Sequence, residues 1–293
     1  MYKGIIFSVI SSCLFATQYY LAARVSGMNG GEIFGWRTII SLPFMTLFLI
    51  LSGEWKAIRE ISIRIKKNPL LLPGLILSSF LMALQQWLFI WAPLNGRGLN
   101  VSLGYFLLPL VMLSVGYLLY RETLSGLKKL AGLLAAIGVC HELYMARAFS
   151  WEALTVSIGM TAYFILRKAL LTENLGGLWF DMVLMIPSAL WFILTPDYSH
   201  VKINLSGDYI IVALIGIISA AAFMFYITAS RYLSFSLFGL MGYVEPVLLV
   251  IVSLILKESL KASEWLTYIP IWIAVILLIC DGIILLKNKT SRK

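Results

Sequence analysis

Long apolar segments recur from one end of this 293-residue chain to the other, and each is long enough to cross a lipid bilayer. A helix of about 20 apolar residues spans the roughly 30 Å hydrocarbon core. Only 13% of the residues are charged, which is unusual for a soluble protein. The connections between the segments are too short to hold a soluble domain. The sequence predicts an all-α integral membrane protein with ten transmembrane helices, at about 4–23, 33–52, 70–92, 99–119, 127–146, 151–170, 176–194, 208–230, 235–256 and 264–286.

The distribution of basic residues predicts the orientation of these helices. If the N-terminus lies in the cytoplasm, 16 of the 23 Lys and Arg residues fall in inner segments, six fall in outer segments, and Arg37 lies within a span. An excess of basic residues on the cytoplasmic side is typical of membrane proteins. It places both termini in the cytoplasm and explains the net charge of +9 without a nucleic-acid partner.

Two of the apolar segments resemble each other. LGYFLLPLVMLSVGYLLYRETL (Leu103–Leu124) and MGYVEPVLLVIVSLILKESL (Met241–Leu260) share an early Gly-Tyr, an internal proline and a basic residue followed by Glu near the end. Pro109 and Pro246 are predicted to kink these spans, because proline removes a helix hydrogen bond. Proline-interrupted spans at corresponding places in two halves of a chain indicate the binding site of a transporter.

Other polar positions repeat at nearly the same offset. Arg37 and Asp181 are 144 residues apart, and His141 and Asp281 are 140 apart, compared with 137 for the two prolines. The small drift in these offsets is what insertions in the connections between spans would produce.

Residues 1–146 and 147–293 are therefore predicted to be two copies of one five-helix repeat. Because five is an odd number, the second copy must enter the membrane from the opposite side. The result is a 5+5 inverted repeat, the arrangement that lets one fold open alternately to either face of a membrane.

The same residues resemble a known family. FIWAPLNGRGLNVSLGYFLLPL (Phe89–Leu110), with the Arg-Glu-Thr-Leu that follows the fourth span, resembles the third and fourth spans of EamA-type drug/metabolite transporters. Gly239–Leu260 resembles the ninth span of the chloramphenicol-sensitivity (RarD-type) permeases, which form the closest branch. This resemblance implies ten helices in two inverted halves and the movement of a small organic solute across the bacterial inner membrane.

Glu245 is the leading candidate for a functional residue. It lies about eleven residues into the ninth predicted span, close to the bilayer midplane. A charged side chain there costs about 2.5–3.5 kcal/mol on insertion scales, so it usually faces a cavity or a partner. We expect Glu245 to line the pore and to carry a proton. The alternative is a structural carboxyl group that is hydrogen-bonded to a neighbouring Tyr or Ser.

Aromatic residues near the two prolines predict a pocket for flat or amphipathic organic molecules. Tyr105 and Tyr243 repeat beside Pro109 and Pro246. The other predicted lining residues are Trp91, Trp36 and Gln85. The alternatives are membrane-interface anchoring or core packing for the aromatic residues and a hydrogen bond between helices for the glutamine.

Charged and polar residues near the predicted span ends indicate two gates. The predicted outer gate consists of Arg37, His141 and Glu142. The predicted inner gate consists of Asp181, Asp281 and Arg231. The alternative for both groups is ordinary anchoring at the membrane interface, in which a long side chain such as that of Arg37 snorkels to the headgroups.

The sequence thus predicts a secondary transporter, and the resemblance favours export of a metabolite or drug-like solute by alternating access. The partners are the solute and the lipid bilayer, while nothing in the sequence specifies an oligomeric state. No nucleotide-binding motif is present, so a proton or solute gradient would drive transport, and no cofactor is predicted. The alternatives are an uptake permease for amino acids or similar metabolites, and a transmembrane sensor or scaffold that moves no solute.

An integral-membrane enzyme is disfavoured. The chain has only two His residues, and His200 lies in a predicted outer loop. No Ser-His-acid set and no metal-ligand cluster can be assembled on neighbouring turns within the predicted spans.

Overall fold

The computed structural model describes residues 2–22, 24–25, 28–94, 98–146, 151–195, 205–255 and 265–290. Residues 95–97 of Phe89–Leu110, residues 256–260 of Gly239–Leu260, and His200 lie outside the described residues. The described part of the chain forms thirteen helices and contains no β-strand. The helices are α1 (Tyr2–Ala22), α2 (Gly30–Leu51), α3 (Trp55–Lys67), α4 (Leu71–Leu94), α5 (Gly98–Leu118), α6 (Gly126–Ala146), α7 (Trp151–Ala169), α8 (Leu175–Leu184), α9 (Ile186–Leu194), α10 (Leu205–Tyr232), α11 (Phe235–Met241), α12 (Val244–Ile255) and α13 (Trp265–Thr290).

The all-helical prediction is confirmed for the described residues. Each predicted apolar segment coincides with a helix or with a pair of consecutive helices. Within the described ranges, five stretches are long and apolar enough to cross a membrane: Tyr2–Ala22, Gly30–Leu51, Leu71–Phe89, Leu175–Leu194 and Gly207–Tyr232. Shorter apolar stretches lie at Leu103–Leu118, Phe235–Leu248 and Trp265–Asp281. The ten-span inverted arrangement and the orientation of the termini stay predictions.

Two predicted spans are each divided into two helices. The seventh is divided at Met185 into α8 and α9, and Pro187, in the first turn of α9, cannot donate a backbone hydrogen bond. The ninth is divided at Gly242 and Tyr243 into α11 and α12, and Pro246 lies in the first turn of α12. Proline is tolerated in a first turn because the amide groups there have no partner within the helix.

An amphipathic helix that the sequence analysis did not predict connects α2 to α4. In α3 the apolar residues Ile58, Ile61 and Ile65 recur at helical spacing. Its last turn is rich in basic residues, which interact favourably with the carbonyl end of the helix dipole. The segment is too polar for a transmembrane helix, so the hydropathy pattern alone indicated a loop.

The helices form two compact units, each of which is described by itself. Unit I comprises Met1–Ala16, Leu99–Thr161 and Thr228–Lys293. Unit II comprises Thr17–Gly98 and Ala162–Ile227. Each unit therefore combines helices from both predicted sequence repeats.

Within unit I, α6 packs along α13. The contact face of α6 carries small residues, including Ala131 and Ala135, which are fully buried. A methyl group on Gly138 would lie 2.6 Å from the carbonyl oxygen of Thr267, so glycine is required for this approach. Small residues at such spacing let two membrane helices come close together.

Within unit II, α2 packs against α8 and α9. A methyl group on Gly35 would lie 2.6 Å from the carbonyl oxygen of Ala189, so here too a glycine of the first half touches the backbone of the second. Ser41 adds a hydrogen bond from its hydroxyl group to the Gly216 carbonyl oxygen of α10, at 2.7 Å. These two helix pairs join the fifth span with the tenth and the second with the seventh, which are equivalent positions in the predicted repeat.

Candidate functional site

The break between α11 and α12 lies in unit I, in the segment that the sequence analysis placed at the centre of the binding site. The Gly242 amide donates to the Gly239 carbonyl oxygen at 2.9 Å, and the Tyr243 amide donates to Leu240 at 3.2 Å. These short-range bonds replace the usual helical pattern, and Pro246 has no amide hydrogen to restore it. The backbone is therefore interrupted two residues before Glu245.

Glu245 lies in the first turn of α12 and is half-buried. Among the described residues, no hydrogen bond or ion pair to its carboxylate is found. The positive end of the α12 dipole favours a negative charge at this position. The Tyr or Ser partner that the structural alternative for Glu245 requires is not found in the part of the chain that the structure describes.

Tyr243 connects the break to α5. Its side chain is fully buried, and its hydroxyl group donates to the carbonyl oxygen of Phe106 at 2.9 Å. That oxygen lies in the turn before Pro109, so the bond joins the break to α5 close to this proline. Helix α5 nevertheless remains continuous through Pro109, in contrast to the broken pair α11 and α12. Tyr105, the other predicted aromatic residue, is half-buried on α5.

The opposite end of α11 is held by Glu122. One carboxylate oxygen accepts from the Phe235 amide at 2.6 Å, and the other accepts from the Ser236 amide at 2.9 Å. In the middle of the helix, a methyl group on Gly239 would lie only 2.5 Å from the Cβ atom of Met112. Contacts with α5 and with the residues after α5 thus fix α11 along its whole length. The interruption comes directly after α11.

His141 and Glu142 are joined through a residue that the sequence analysis did not identify. The Thr267 hydroxyl group donates to the Glu142 Oε2 atom at 2.8 Å. Because this hydroxyl group has one hydrogen, its oxygen accepts from His141, whose Nδ1 atom lies 2.9 Å away. The cluster connects the end of α6 to the start of α13 within unit I.

Arg37, the third member of the predicted outer gate, belongs to unit II. Its side chain is 3% exposed and donates to the Oε1 atom of Gln86 on α4. This burial disfavours the snorkelling alternative, which requires a guanidinium group in the headgroup region. Gln85, the predicted lining residue, is buried at the adjacent position of α4.

Asp181 of the predicted inner gate lies at the centre of a buried polar cluster in unit II. Its Oδ1 atom accepts from Ser78 at 2.8 Å, and its Oδ2 atom accepts from Tyr163 at 2.9 Å and from Arg167 at 2.7 Å. The guanidinium group of Arg167 also donates to the carbonyl oxygens of Thr172 and Asn174 in the turn between α7 and α8. The cluster connects α4, α7 and α8.

The other two inner-gate residues belong to unit I. Asp281 is 5% exposed and accepts a hydrogen bond from the Ser125 hydroxyl group at 2.9 Å. Ser125 precedes α6 and also accepts from the Lys128 amide, so it caps that helix. Arg231 is exposed in the last turn of α10, and no ion pair between Asp281 and Arg231 is found in the described part of the chain.

The two predicted tryptophans both lie in unit II and are half-buried. Trp91 stacks on Trp87 with ring centres 5.0 Å apart, and Trp36 meets Tyr209 edge-on at 6.0 Å. Tyr105 and Tyr243 belong to unit I. The structure therefore gives each predicted aromatic residue a place within one unit, and a pocket formed by all four stays a prediction.

Comparison with known proteins identifies two copies of one sequence pattern. The model of the EamA-like transporter family matches residues 2–141 and again residues 151–280. A solved crystal structure that is 14% identical superposes with a TM-score of 0.66, over 94% of this chain and 96% of the other. At this identity the likeness concerns the fold alone.

Similar proteins extend over the full length of the chain. An uncharacterized transporter of Pasteurella multocida is 38% identical, over 99% of each chain. The chloramphenicol-sensitive protein RarD of Pseudomonas aeruginosa is 36% identical, over 99% of this chain and 98% of its own. An uncharacterized transporter of Haemophilus influenzae is 36% identical, over 97% of this chain and 95% of its own.

Proposed function

Because the chain belongs to the EamA-like transporter family and is a membrane transporter, we propose that it exports a small organic solute by alternating access. The relatives from Pasteurella multocida and Haemophilus influenzae are named as transporters, so transport is the activity to be tested. The family and the apolar helices support an integral protein of the inner membrane.

The proposed architecture is ten spans in two inverted repeats, residues 1–146 and 147–293, with both termini in the cytoplasm. The double match of one family model supports two copies of a single unit. The packing of α6 on α13 in unit I, and of α2 on α8 and α9 in unit II, supports the same proposal, because these helices occupy equivalent positions in the repeat. The excess of basic residues in the inner segments supports the orientation.

The observation that carries the mechanism is the interruption of α11 and α12 immediately before Glu245. Discontinuous helices in transporters place helix ends and unpaired backbone groups at the substrate site near the bilayer midplane. A carboxylate there, without a described partner, can bind a proton or a cationic group of the solute. Glu245 is therefore proposed to couple solute movement to the proton gradient, with Tyr105 beside it on the substrate path.

The other predicted residues keep supporting roles in this proposal. Trp36, Trp91 and Gln85 are proposed to contact the solute, as the sequence predicts. His141 and Glu142 are proposed to close the outer side, since Thr267 joins them into one cluster. The bonded state of Asp181 favours a structural contribution to the inner side.

The experiment has two stages. Metabolites inside cells and in the medium are first compared with and without the gene, with chloramphenicol included because one relative is named for sensitivity to it. The solute found in this way is then used in proteoliposomes that contain the purified protein under an imposed proton gradient. Glu245→Gln is compared with the wild type and with Glu54→Gln, a matched control at an exposed carboxylate before α3.

We expect Glu245→Gln to abolish gradient-driven accumulation, while Glu54→Gln retains it. Unchanged proton-driven transport in Glu245→Gln would show that this residue is not the proton carrier. If the wild type moves no solute from a broad metabolite and drug library in either direction, transport itself is wrong, and a sensor or scaffold becomes the better interpretation. Accumulation in the opposite direction would identify an uptake permease.

A further inference from the structure

Helix α3 carries an exposed basic surface that the transport proposal does not use. Lys56, Arg59, Lys66 and Lys67 are exposed and occupy one side of the helix, and we call them the α3 basic face. Glu60 is the acidic residue on this side of α3, so the face has a clear excess of positive charge. None of the four basic residues forms an ion pair within the described ranges.

The opposite side of α3 is packed against unit II. Ile58 and Ile61 are 5% and 1% exposed, and Ile61 contacts a buried cluster that includes Leu71 and Leu75 of α4. A methyl group on Gly176 of α8 would lie 2.8 Å from the backbone of α3, so the two helices are in close contact. Packing therefore fixes which side of α3 is exposed.

The remaining basic side chain of α3, that of Arg64, is already occupied. Arg64 donates to the carbonyl oxygens of Leu171 at 3.0 Å and Leu170 at 2.6 Å, at the end of α7. These bonds satisfy carbonyl groups that have no partner within a helix that ends there. Arg64 thus fixes α3 to the turn between α7 and α8 and takes no part in the α3 basic face.

The position of α3 in the chain places it at a membrane surface. It lies between Gly30–Leu51 and Leu71–Phe89, two stretches that are long and apolar enough to cross a bilayer. Its own sequence alternates basic and apolar residues, as in helices that lie in the headgroup region. Trp55 is 39% exposed and Ile63 43% exposed on the same side as the basic residues. Tryptophan is enriched at membrane interfaces, where its ring contacts both lipid tails and headgroups.

We propose that the α3 basic face binds the headgroups of anionic phospholipids in the membrane that surrounds the protein. Clustered Lys and Arg residues on an amphipathic helix next to a membrane span attract negatively charged lipids, and the attraction weakens as salt is added. Ile63 and Trp55 provide the apolar contacts that hold such a helix at the boundary between headgroups and acyl chains. This surface is separate from the break at Glu245, so the proposal does not depend on solute transport.

The test compares two variants that each lose two lysines and one arginine. Lys56→Gln/Arg59→Gln/Lys66→Gln removes three charges of the α3 basic face. Lys3→Gln/Arg121→Gln/Lys129→Gln removes three exposed charges elsewhere in the chain. The full chain is purified in neutral detergent, and its midpoint of thermal unfolding is measured with added phosphatidylglycerol, phosphatidylcholine or inorganic phosphate.

We expect phosphatidylglycerol to raise the midpoint for the wild type and the control variant, and phosphatidylcholine and phosphate to have little effect. The α3 variant should need at least about tenfold more phosphatidylglycerol for the same shift. Raising the salt concentration from low to about 0.5 M should remove the shift in the wild type, which tests the electrostatic origin without any substitution.

Three results would overturn the proposal. The first is a full phosphatidylglycerol response in the α3 variant. The second is an equal loss in the control variant, because net charge rather than this surface would then explain the binding. The third is a wild-type response that is equal for phosphatidylcholine or that does not change with salt. Because these measurements need only the wild type, they remain decisive if the α3 variant fails to fold.

Discussion

The guanidinium group of Arg167 donates to the Oδ2 atom of Asp181 at 2.7 Å, and both side chains are 1% exposed. Both carboxylate oxygens of Asp181 and both terminal nitrogens of Arg167 have partners, from Ser78 and Tyr163 to the carbonyl groups of the α7–α8 turn. A buried ion pair stabilises a fold only when its geometry is good and its remaining hydrogen bonds are satisfied. Both conditions hold here, so we interpret the pair as a specific connection between α7 and α8.

Asp181→Asn should destabilise the protein strongly. The substitution leaves the Arg167 charge buried without its counter-charge, which costs about 3–5 kcal/mol. The measurement is the midpoint of thermal or denaturant unfolding of the purified protein. Glu60→Gln, at an exposed carboxylate of α3, is the matched control and should change stability little.

The double variant Arg167→Met/Asp181→Leu distinguishes the cost of an uncompensated charge from the cost of changing the side-chain packing. Replacing both charges by apolar side chains removes the uncompensated charge, so the double variant should be more stable than Asp181→Asn. If Asp181→Asn unfolds like the wild type but changes the rate of solute transport, Asp181 acts as a gate residue, as the sequence analysis expected.

Tyr243→Phe should destabilise the contact between the helix break and α5. The substitution removes the buried hydrogen bond from this hydroxyl group to the carbonyl oxygen of Phe106, which costs about 0.5–1.5 kcal/mol. The control is Tyr117→Phe, because Tyr117 lies on α5 and is 57% exposed. Equal unfolding midpoints for the two variants would show that the Tyr243 hydrogen bond contributes nothing to stability.

Thr267→Val should separate His141 from Glu142. Valine has nearly the shape of threonine but neither donates nor accepts, so both hydrogen bonds between α6 and α13 are lost. Thr267→Ser keeps the hydroxyl group and should restore most of the stability. The measurement is hydrogen exchange at the start of α13, which should be faster in Thr267→Val alone. If serine and valine behave alike, the loss of packing rather than of the hydrogen bonds explains the change.

The helices themselves were predictable because long apolar segments have few alternatives in a membrane. The break before Glu245 was also indicated, since Pro246 lies within one of them. The partners of the polar residues were not predictable in the same way. Thr267 is 126 residues from His141, and Gln86 is 49 residues from Arg37, so nothing local in the sequence connects them.

One partner did leave a local signal. Tyr163 and Arg167 are four residues apart, which puts them on the same side of α7. The sequence analysis counted Arg167 only as an inner basic residue and identified Asp181 without its counter-charge. A charged residue inside an apolar helix requires a partner, and this requirement, applied to Asp181, would have directed attention to Arg167.

Gly138→Ala tests the helix pair on which the proposed repeat depends. The added methyl group would lie 2.6 Å from the Thr267 carbonyl oxygen and 3.0 Å from Ile271, so α6 and α13 must move apart. Overpacking of this kind costs about 1–3 kcal/mol. Gly126→Ala is the control on the same helix, since no atom lies within 4 Å of the added methyl group, and it should be neutral or slightly stabilising.

Gly35→Ala places the same demand on α2 and α9 in unit II. If the two pairs are equivalent contacts of one repeated unit, Gly138→Ala and Gly35→Ala should lower the unfolding midpoint by similar amounts. A large effect at one glycine and none at the other would contradict that equivalence.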